Sequence, residues 1–537
     1  MGEGLLHMRR GLGFLVSAAL AMSSPAVAAA KPRPPVAKVA AAPDLAVEAL
    51  TGEMSIADLQ AAMNKGSLTS EALTRAALAR ITALDGRLHA VIAVNPDALS
   101  QAKAADAARK AGKDLGPMMG IPILVKDNIE TLDPVATTAG SLALKDNITH
   151  RDAPLIARLR AGGAIILAKT NLSEWANIRS THAMSGWSAM GGLVANPYEL
   201  DRTACGSSSG TGAGIAADYA VIGIGSETDG SVTCPSSMQG LAGLKPTVGL
   251  VSRTHIVPIS HSQDTAGPMG HSVSDIAAML SVMAGSDPAD LATGEADAHK
   301  TDYTQGLSKD ALKGVRIGVL RDQIGSEPKT AAVFEQALQK LKDAGAILVD
   351  IKDSSVAKIN DNELLVLNYE LKADLNAYLA TTPQTVKTRT LADLIAFDTA
   401  NAGKEMPFFG QELFEAAQKT TGLADPAYVA ASANKAAAAA RIDGLLKDNN
   451  VAVLVAPTYA PAWLSDPVYG DIYNGPSATQ LPAVAGYPHL TVPMGMIQGL
   501  PVGLSFIGTK WSEAELLRAG YAFEQVVHAR KAPHLIQ

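Results

Sequence analysis

Apolar positions along this chain switch between two periods, and the switches mark out its elements. From 45 to 112 the spacing is mainly helical. Ser55 is placed to cap a short helix running to about Met63. Ser70 opens a longer one, in which Ala72, Leu73, Ala76, Leu78 and Ile81 form an apolar stripe. Short continuous apolar runs then alternate with helical stretches. Strands are expected at 89–94, 121–125, 164–168, 220–224, 315–320, 346–349, 451–455 and 502–508. Helices are expected at 96–110, 153–161, 213–217, 328–343 and 512–529, with 171–175 opening one further helical turn. Such alternation favours an α/β sandwich, with helices layered on a sheet. Residues 355–445 break the pattern: they are helix-rich, with alanine runs such as 436–440, and predict a helical insertion or cap over the sheet.

The first thirty residues predict a secretory signal peptide. Arg9 and Arg10 precede an apolar run at 11–22, and Ala26-Val27-Ala28 offers small residues for cleavage after Ala28 or Ala30. Residues 31–44, with Pro32-Arg33-Pro34-Pro35, read as a linker, leaving 45–537 as a single catalytic domain. The expected location is periplasmic or secreted. No later run approaches the roughly 20 apolar residues of a membrane span, so no stable insertion is expected. A net charge of −7 gives no footprint for nucleic acid. Cys205 and Cys234 are the two cysteines. Export would permit a disulfide. Since sequence does not set the separation of the Cα atoms, two small buried thiols are the expectation.

Chemistry concentrates at 203–235. Two hydroxyl-rich glycine loops, GSSSG at 206–210 and GSETDGS at 225–231, flank a small-residue helix and a buried strand. Amide hydrolysis needs an activated nucleophile, a site for the oxyanion and a proton for the leaving nitrogen. Gly230 before Ser231 permits a sharp turn with its N–H groups facing inward. Ser231 is therefore the candidate nucleophile, and the N–H groups of Thr228, Asp229, Gly230 and Ser231 are the pool for an oxyanion hole. The base stays open at this point: His255 and His261 lie nearest downstream, while Lys126, ending the apolar run 121–125, competes if its ammonium is desolvated. GSSSG also fits a G-x-S-x-G nucleophile elbow centred on Ser208, but the upstream 196–201 is turn-like where a core strand is required. His255 and His261 have no H-E-x-x-H helix or cysteine cluster nearby, so no metal and no cofactor is expected.

GSSSG, the serine after Gly230 and the lysine of 121–128 together resemble the amidase signature family, serine amidohydrolases with a Ser–cis-Ser–Lys triad. Ser207 and Ser231 stand 24 residues apart, as in that family, and Lys126 supplies the third member. The resemblance covers about 55–350 well and 450–530 more loosely. It implies one integrated domain on a mixed central sheet of about eleven strands, near the upper end for open sheets. It implies that Lys126 takes a proton from Ser207 and Ser207 one from Ser231, that the bond before Ser207 is cis, and that Ser208 supports the oxyanion loop. It would also bring the two cysteine-flanked loops into one neighbourhood. The segments 243–247 and 264–268 suit the family as structural turns beneath the site. Departures are Cys205, Ser209 and Asp229 where glycines are usual, and Val232-Thr233 in place of Ile-Arg. The missing arginine weakens the case for a small acidic substrate. GSSSG, ETDGS and TCP resemble most the members that release ammonia from C-terminally amidated peptides. A broader aliphatic, aryl or fatty-acid amidase is the alternative, and the glutaminase subunit of a tRNA-dependent amidotransferase is a third.

Overall fold

Runs of β-branched and small residues with no polar face can be satisfied only inside a sheet covered on both sides, and this is where the chain puts them. The computed structural model describes residues 45–352 and 357–534. The expected signal peptide and linker lie outside the described residues. The strands begin with β1 (Val91–Val94), β2 (Pro122–Lys126) and β3 (Ile165–Thr170), followed by a small hairpin of β4 (Trp187–Ser188) and β5 (Gly192–Leu193). Next come β6 (Ile222–Glu227), β7 (Ala242–Lys245), β8 (Thr265–Gly270), β9 (Arg316–Leu320) and β10 (Ile347–Ile351). The last are β11 (Val453–Pro457), β12 (His489–Ile497) and β13 (Leu500–Ile507).

All but the hairpin form one mixed sheet of 11 strands, in the order β1-β3-β2-β6-β8-β7-β12-β13-β11-β9-β10. Every residue of β2, β3, β6, β7 and β8 is buried. β2 runs parallel to β3 on one side and β6 on the other, while β8 is antiparallel to both β6 and β7. Helices start where side-chain acceptors meet free N–H groups. Ser55 accepts from Asp58 N ahead of helix Ile56–Lys65, and Thr69 accepts from Ala72 N ahead of Ser70–Leu88.

Three expectations need correction. The segments read as turns at 243–247 and 264–268 largely form the central strands β7 and β8, and β12 was not anticipated. The helical turn opening at 171–175 is instead a short 3-10 segment, Glu174–Asn177, bent by positive φ at Trp175 (51°) and Ala176 (55°). Cys205 and Cys234 are not free thiols but a disulfide, with Cα atoms 6.0 Å apart. The sheet brings the loop before Ser207 against the helix Thr233–Met238, a proximity that linear sequence does not express.

The segment 357–448 contributes helices and, among the described residues, no strand of the sheet. The segment has a core of its own: Leu371, Leu375 and Leu379 of the long helix Ala357–Ala380, with Leu391, Leu394 and Phe414 from later helices, cluster with Leu144, Trp175, Val257 and Ile259. Trp175 meets Phe414 edge to face at 5.9 Å.

Candidate active site

Strand β2 carries Lys126 to the middle of the sheet, where the side chain is fully buried. Its Nζ lies 2.7 Å from Ser207 Oγ, 2.9 Å from Ser226 Oγ and 3.0 Å from Ser226 O. Among the described residues no carboxylate pairs with it within 4.0 Å. That role falls to the neighbouring buried lysine, Lys169, at 2.9 Å from Asp127 Oδ1. Burial without a counter-ion drives the Lys126 ammonium down to about 7, against the opposing fields of Asp264 and Glu227. A neutral amine has two N–H donors and one lone pair. The carbonyl of Ser226 can only accept, so the lone pair must face a hydroxyl, and Ser207 offers one at hydrogen-bond distance.

Ser207 follows a cis peptide bond from Gly206, as the family resemblance implied. Ser208 is buried, and its Oγ donates to Ser226 O (3.2 Å) and accepts from Ser226 N (3.3 Å), while its own N–H donates to Ser231 O (3.1 Å). Ser208 is thus committed to joining the two glycine loops, and no histidine is among its partners, which removes the elbow reading. Close approach at this joint requires Gly225: a Cβ there would meet Ser208 Oγ at 2.5 Å.

The nucleophile candidate, Ser231, is 7% exposed, at the edge of solvent, whereas Lys126 and Ser207 are fully buried. Gly230 before it has φ +76°, and a Cβ there would meet Tyr459 Oη at 2.8 Å, so only glycine fits the turn. Among the described residues, no partner takes the N–H groups of Thr228, Asp229, Gly230 or Ser231. They are free to receive a ligand oxygen. The flanks of this loop are tied down: Thr228 Oγ1 donates to Asp264 Oδ1 (2.6 Å), and Glu227 Oε2 accepts from Val232 N (2.7 Å) and Thr233 N (2.9 Å).

A family model for amidases matches residues 72–517. The chain belongs to the amidase family. The native peptide amidase from Stenotrophomonas maltophilia is 48% identical, with a TM-score of 0.85 over 90% of this chain and 99% of that one. A probable amidase of Arabidopsis thaliana is 37% identical over 497 residues, 90% of this chain and 92% of the relative. A glutamyl-tRNA(Gln) amidotransferase subunit from Moorella thermoacetica is 34% identical over 507 residues, 89% of this chain and 98% of the relative. The amidase is a hydrolytic enzyme.

A cavity of about 450 Å³ adjoins the site, between the segment 253–265 and the helix Ala357–Ala380. Asn128, Ser226 and Thr228 wall it on one side, Ala377, Tyr378 and Thr381 on the other, and neither Ser207 nor Ser231 reaches it. The histidines weighed as bases sit elsewhere. His255 lines that cavity, and His261 bonds through Nδ1 to Asp374 (2.9 Å), with Nε2 3.5 Å from Glu370. Ligand atoms of His261, Glu370 and Asp374 lie within 4.8 Å of one another. Glu370 is also satisfied by Ser260, Ser262 and Tyr428, so protein donors account for its contacts. Sequence reasoning assigned no role to Ser226, Glu227 or Asp264. The first two stand inside the GSETDGS loop, where the hydroxyl and carboxyl were visible but their direction was not.

Proposed function

We propose that the amidase hydrolyses the terminal carboxamide of C-terminally amidated peptides to a free carboxylate and ammonia, through an acyl-enzyme on Ser231. Neutral Lys126 takes the proton of Ser207 as Ser207 takes that of Ser231, and Ser231 Oγ attacks the carbonyl carbon. The oxyanion is received by the N–H groups of Thr228, Asp229, Gly230 and Ser231. The relay, run backwards, protonates the leaving nitrogen, and the C–N bond breaks to release ammonia. Water then attacks the acyl-enzyme by the same route, passing a proton inward and returning the serine hydroxyl. The observation that carries this reading is Lys126 Nζ, buried, paired with no carboxylate among the described residues and 2.7 Å from Ser207 Oγ. Peptide amides are favoured over other amides by the 48% identity to the Stenotrophomonas peptide amidase and by Val232-Thr233, which puts no arginine behind the nucleophile.

Released ammonia and newly formed carboxylate should be measured at equal concentrations of an amidated peptide, a simple fatty amide and glutamine. Turnover highest on the peptide is expected. A fatty amide turned over faster would put a broad-specificity amidase in its place. Glutamine turned over fastest would favour a glutaminase role within an amidotransferase, which the 34% identity to the Moorella protein motivates. A serine-directed acylating inhibitor should label Ser231, and an adduct mapped by peptide mass to Ser207 would reverse the two serine roles. We further propose that the enzyme works in the periplasm or outside the cell after loss of residues 1–30. The Cys205–Cys234 disulfide supports this, since such bonds persist in oxidising compartments. Recovery of a full-length protein from the cytoplasmic fraction would overturn it.

A further inference from the structure

The loop that receives the negative charge of the tetrahedral intermediate is surrounded by carboxyl groups. Three of them are held as acceptors. Glu227 takes the N–H groups of Val232 and Thr233 at 2.7 and 2.9 Å. Asp264 takes those of Ile259 and Ser260 at 2.8 and 2.9 Å, with the Thr228 hydroxyl at 2.6 Å. Glu363, buried and reaching in from the helix Ala357–Ala380, takes Gln263 Nε2 on one oxygen (2.8 Å) and Gln480 Nε2 on the other (2.6 Å). Burial pushes the Asp264 carboxyl up to about 6 and raises that of Glu363, and the donors each one meets oppose the shift. Asp229 is different. It stands two residues before Ser231 in a half-buried position, and its Oδ1 is sealed from solvent with no hydrogen-bond partner among the described residues. A bare carboxylate oxygen in that position is costly, whereas a protonated carboxyl carries no charge to solvate.

We propose that Asp229 works with its carboxyl protonated, and that Glu363 is the positioning residue that keeps it so, leaving the oxyanion loop without a negative charge of its own. The inference rests on Ser231 being the nucleophile. Glu363 acts in two ways. Its carboxylate, held by the Gln263 and Gln480 amides against the opposing effect of burial, disfavours a second negative charge at Asp229. The Gln263 amide it holds also donates to the carbonyl of Thr228 at 3.4 Å, tying the insertion to the loop. Burial first and Glu363 second push the Asp229 carboxyl well above the usual carboxylate range, and Glu227 adds to this; the Thr479 hydroxyl and Lys245 oppose it. Lys245 is itself pushed down to about 8 by burial, and burial holds the phenols of Tyr459 and Tyr473, which also face Asp229, in their neutral form. Ionisation of Asp229 at alkaline pH would place a charge two residues from Ser231 and repel the forming oxyanion, so activity falls there.

Infrared difference spectra of the full chain at neutral pH, wild type against Asp229→Asn, should contain the C=O stretch of a protonated carboxyl that belongs to Asp229 and is lost as the wild type is taken alkaline. A carboxylate signal in its place at neutral pH overturns the proposal. This reading needs no turnover, so an enzyme inactive on every amide would count against the function above and not against the proton. The alkaline limb of kcat/KM gives the second reading. In Glu363→Gln it should move to lower pH by about one unit, because the neutral amide no longer opposes the Asp229 anion. In Asp229→Asn, with or without Glu363→Gln, that limb should disappear whatever the height of the plateau. A limb that stays in Asp229→Asn, or that does not move down in Glu363→Gln, overturns the assignment.

Discussion

In the proposed mechanism, burial is what makes Lys126 reactive. Its aliphatic stem belongs to a strand buried along its whole length, and its nitrogen meets two hydroxyls and a carbonyl but, among the described residues, no carboxylate. Lysine to alanine at 126 should lower kcat/KM by about 10²–10⁴-fold or more with the fold retained, the range of a lost general base. A folded variant with near-normal turnover would refute the assignment. Combined with Ser207→Ala the losses should fall well short of additive, because the two groups pass one proton. The pH dependence follows from sign. The base works when neutral, and its ammonium is held near 7, so kcat/KM should rise about tenfold per pH unit below 7 and level off above it. A profile flat from about pH 5 to 7 on a substrate with no titrating group would show that the amine is not the base.

Legibility from sequence depends on whether an element announces itself locally. β2, β3 and β6 each open on an apolar run, PILV, IILA and IGIG, and those runs read as buried strands directly, with the polar residues gathered at their C-terminal ends. β7 (AGLK) and β8 (TAGPMG) carry glycine and proline, which punctuate turns, yet they pair in the middle of the sheet because small residues let neighbouring backbones approach. A Cβ at Gly267 would meet Leu244 O at 2.0 Å. Lys126, Ser207 and Ser231 were visible because each stands in a local motif. Glu363 was not: it belongs to a helix with no motif, and only the tertiary fold brings it to the loop. The disulfide failed for the same reason, since Cα separation is a property of the fold. The cysteines are 29 residues apart and bracket both serine loops, so its chain-entropy contribution is about 3.6 kcal/mol. Reduction, or Cys205→Ser with Cys234→Ser, should lower the unfolding free energy in urea by that amount. An unchanged midpoint with unchanged slope would count against it.

At the scale of the molecule, the question is how a helical insertion is held against a sheet it does not join. Part of the answer is apolar, through Trp175, Phe414 and the leucines of Ala357–Ala380. The rest is a buried charge. Arg179, 1% exposed, pairs with Glu174, donates to Glu405 O at 2.6 Å, and stands over the rings of Phe409 and Trp187 at 4.5 and 5.4 Å. Glu405 in turn accepts from Leu142 N at 2.8 Å. One guanidinium therefore connects segments 141–142 and 174–179 of the catalytic unit with 405–409 of the insertion. Burial pushes the carboxyls of Glu174 and Glu405 up and that of Asp398 up to about 7, and Arg179 opposes all three shifts. Removing the cation would leave Glu174 and Glu405 with only their hydrogen bonds to offset burial, and Asp398 without the charge that opposes its shift. Arg179→Ala should cost about 3–5 kcal/mol of unfolding free energy, the penalty of breaking a buried pair by one partner. Arg179→Lys should recover only part of it, because an ammonium keeps the charge but not the planar stacking on Phe409. Limited proteolysis should then cut Arg179→Ala first within 357–448 while the sheet stays intact. Cleavage rates equal to wild type, with an unchanged urea midpoint, would mean that apolar packing alone seats the insertion.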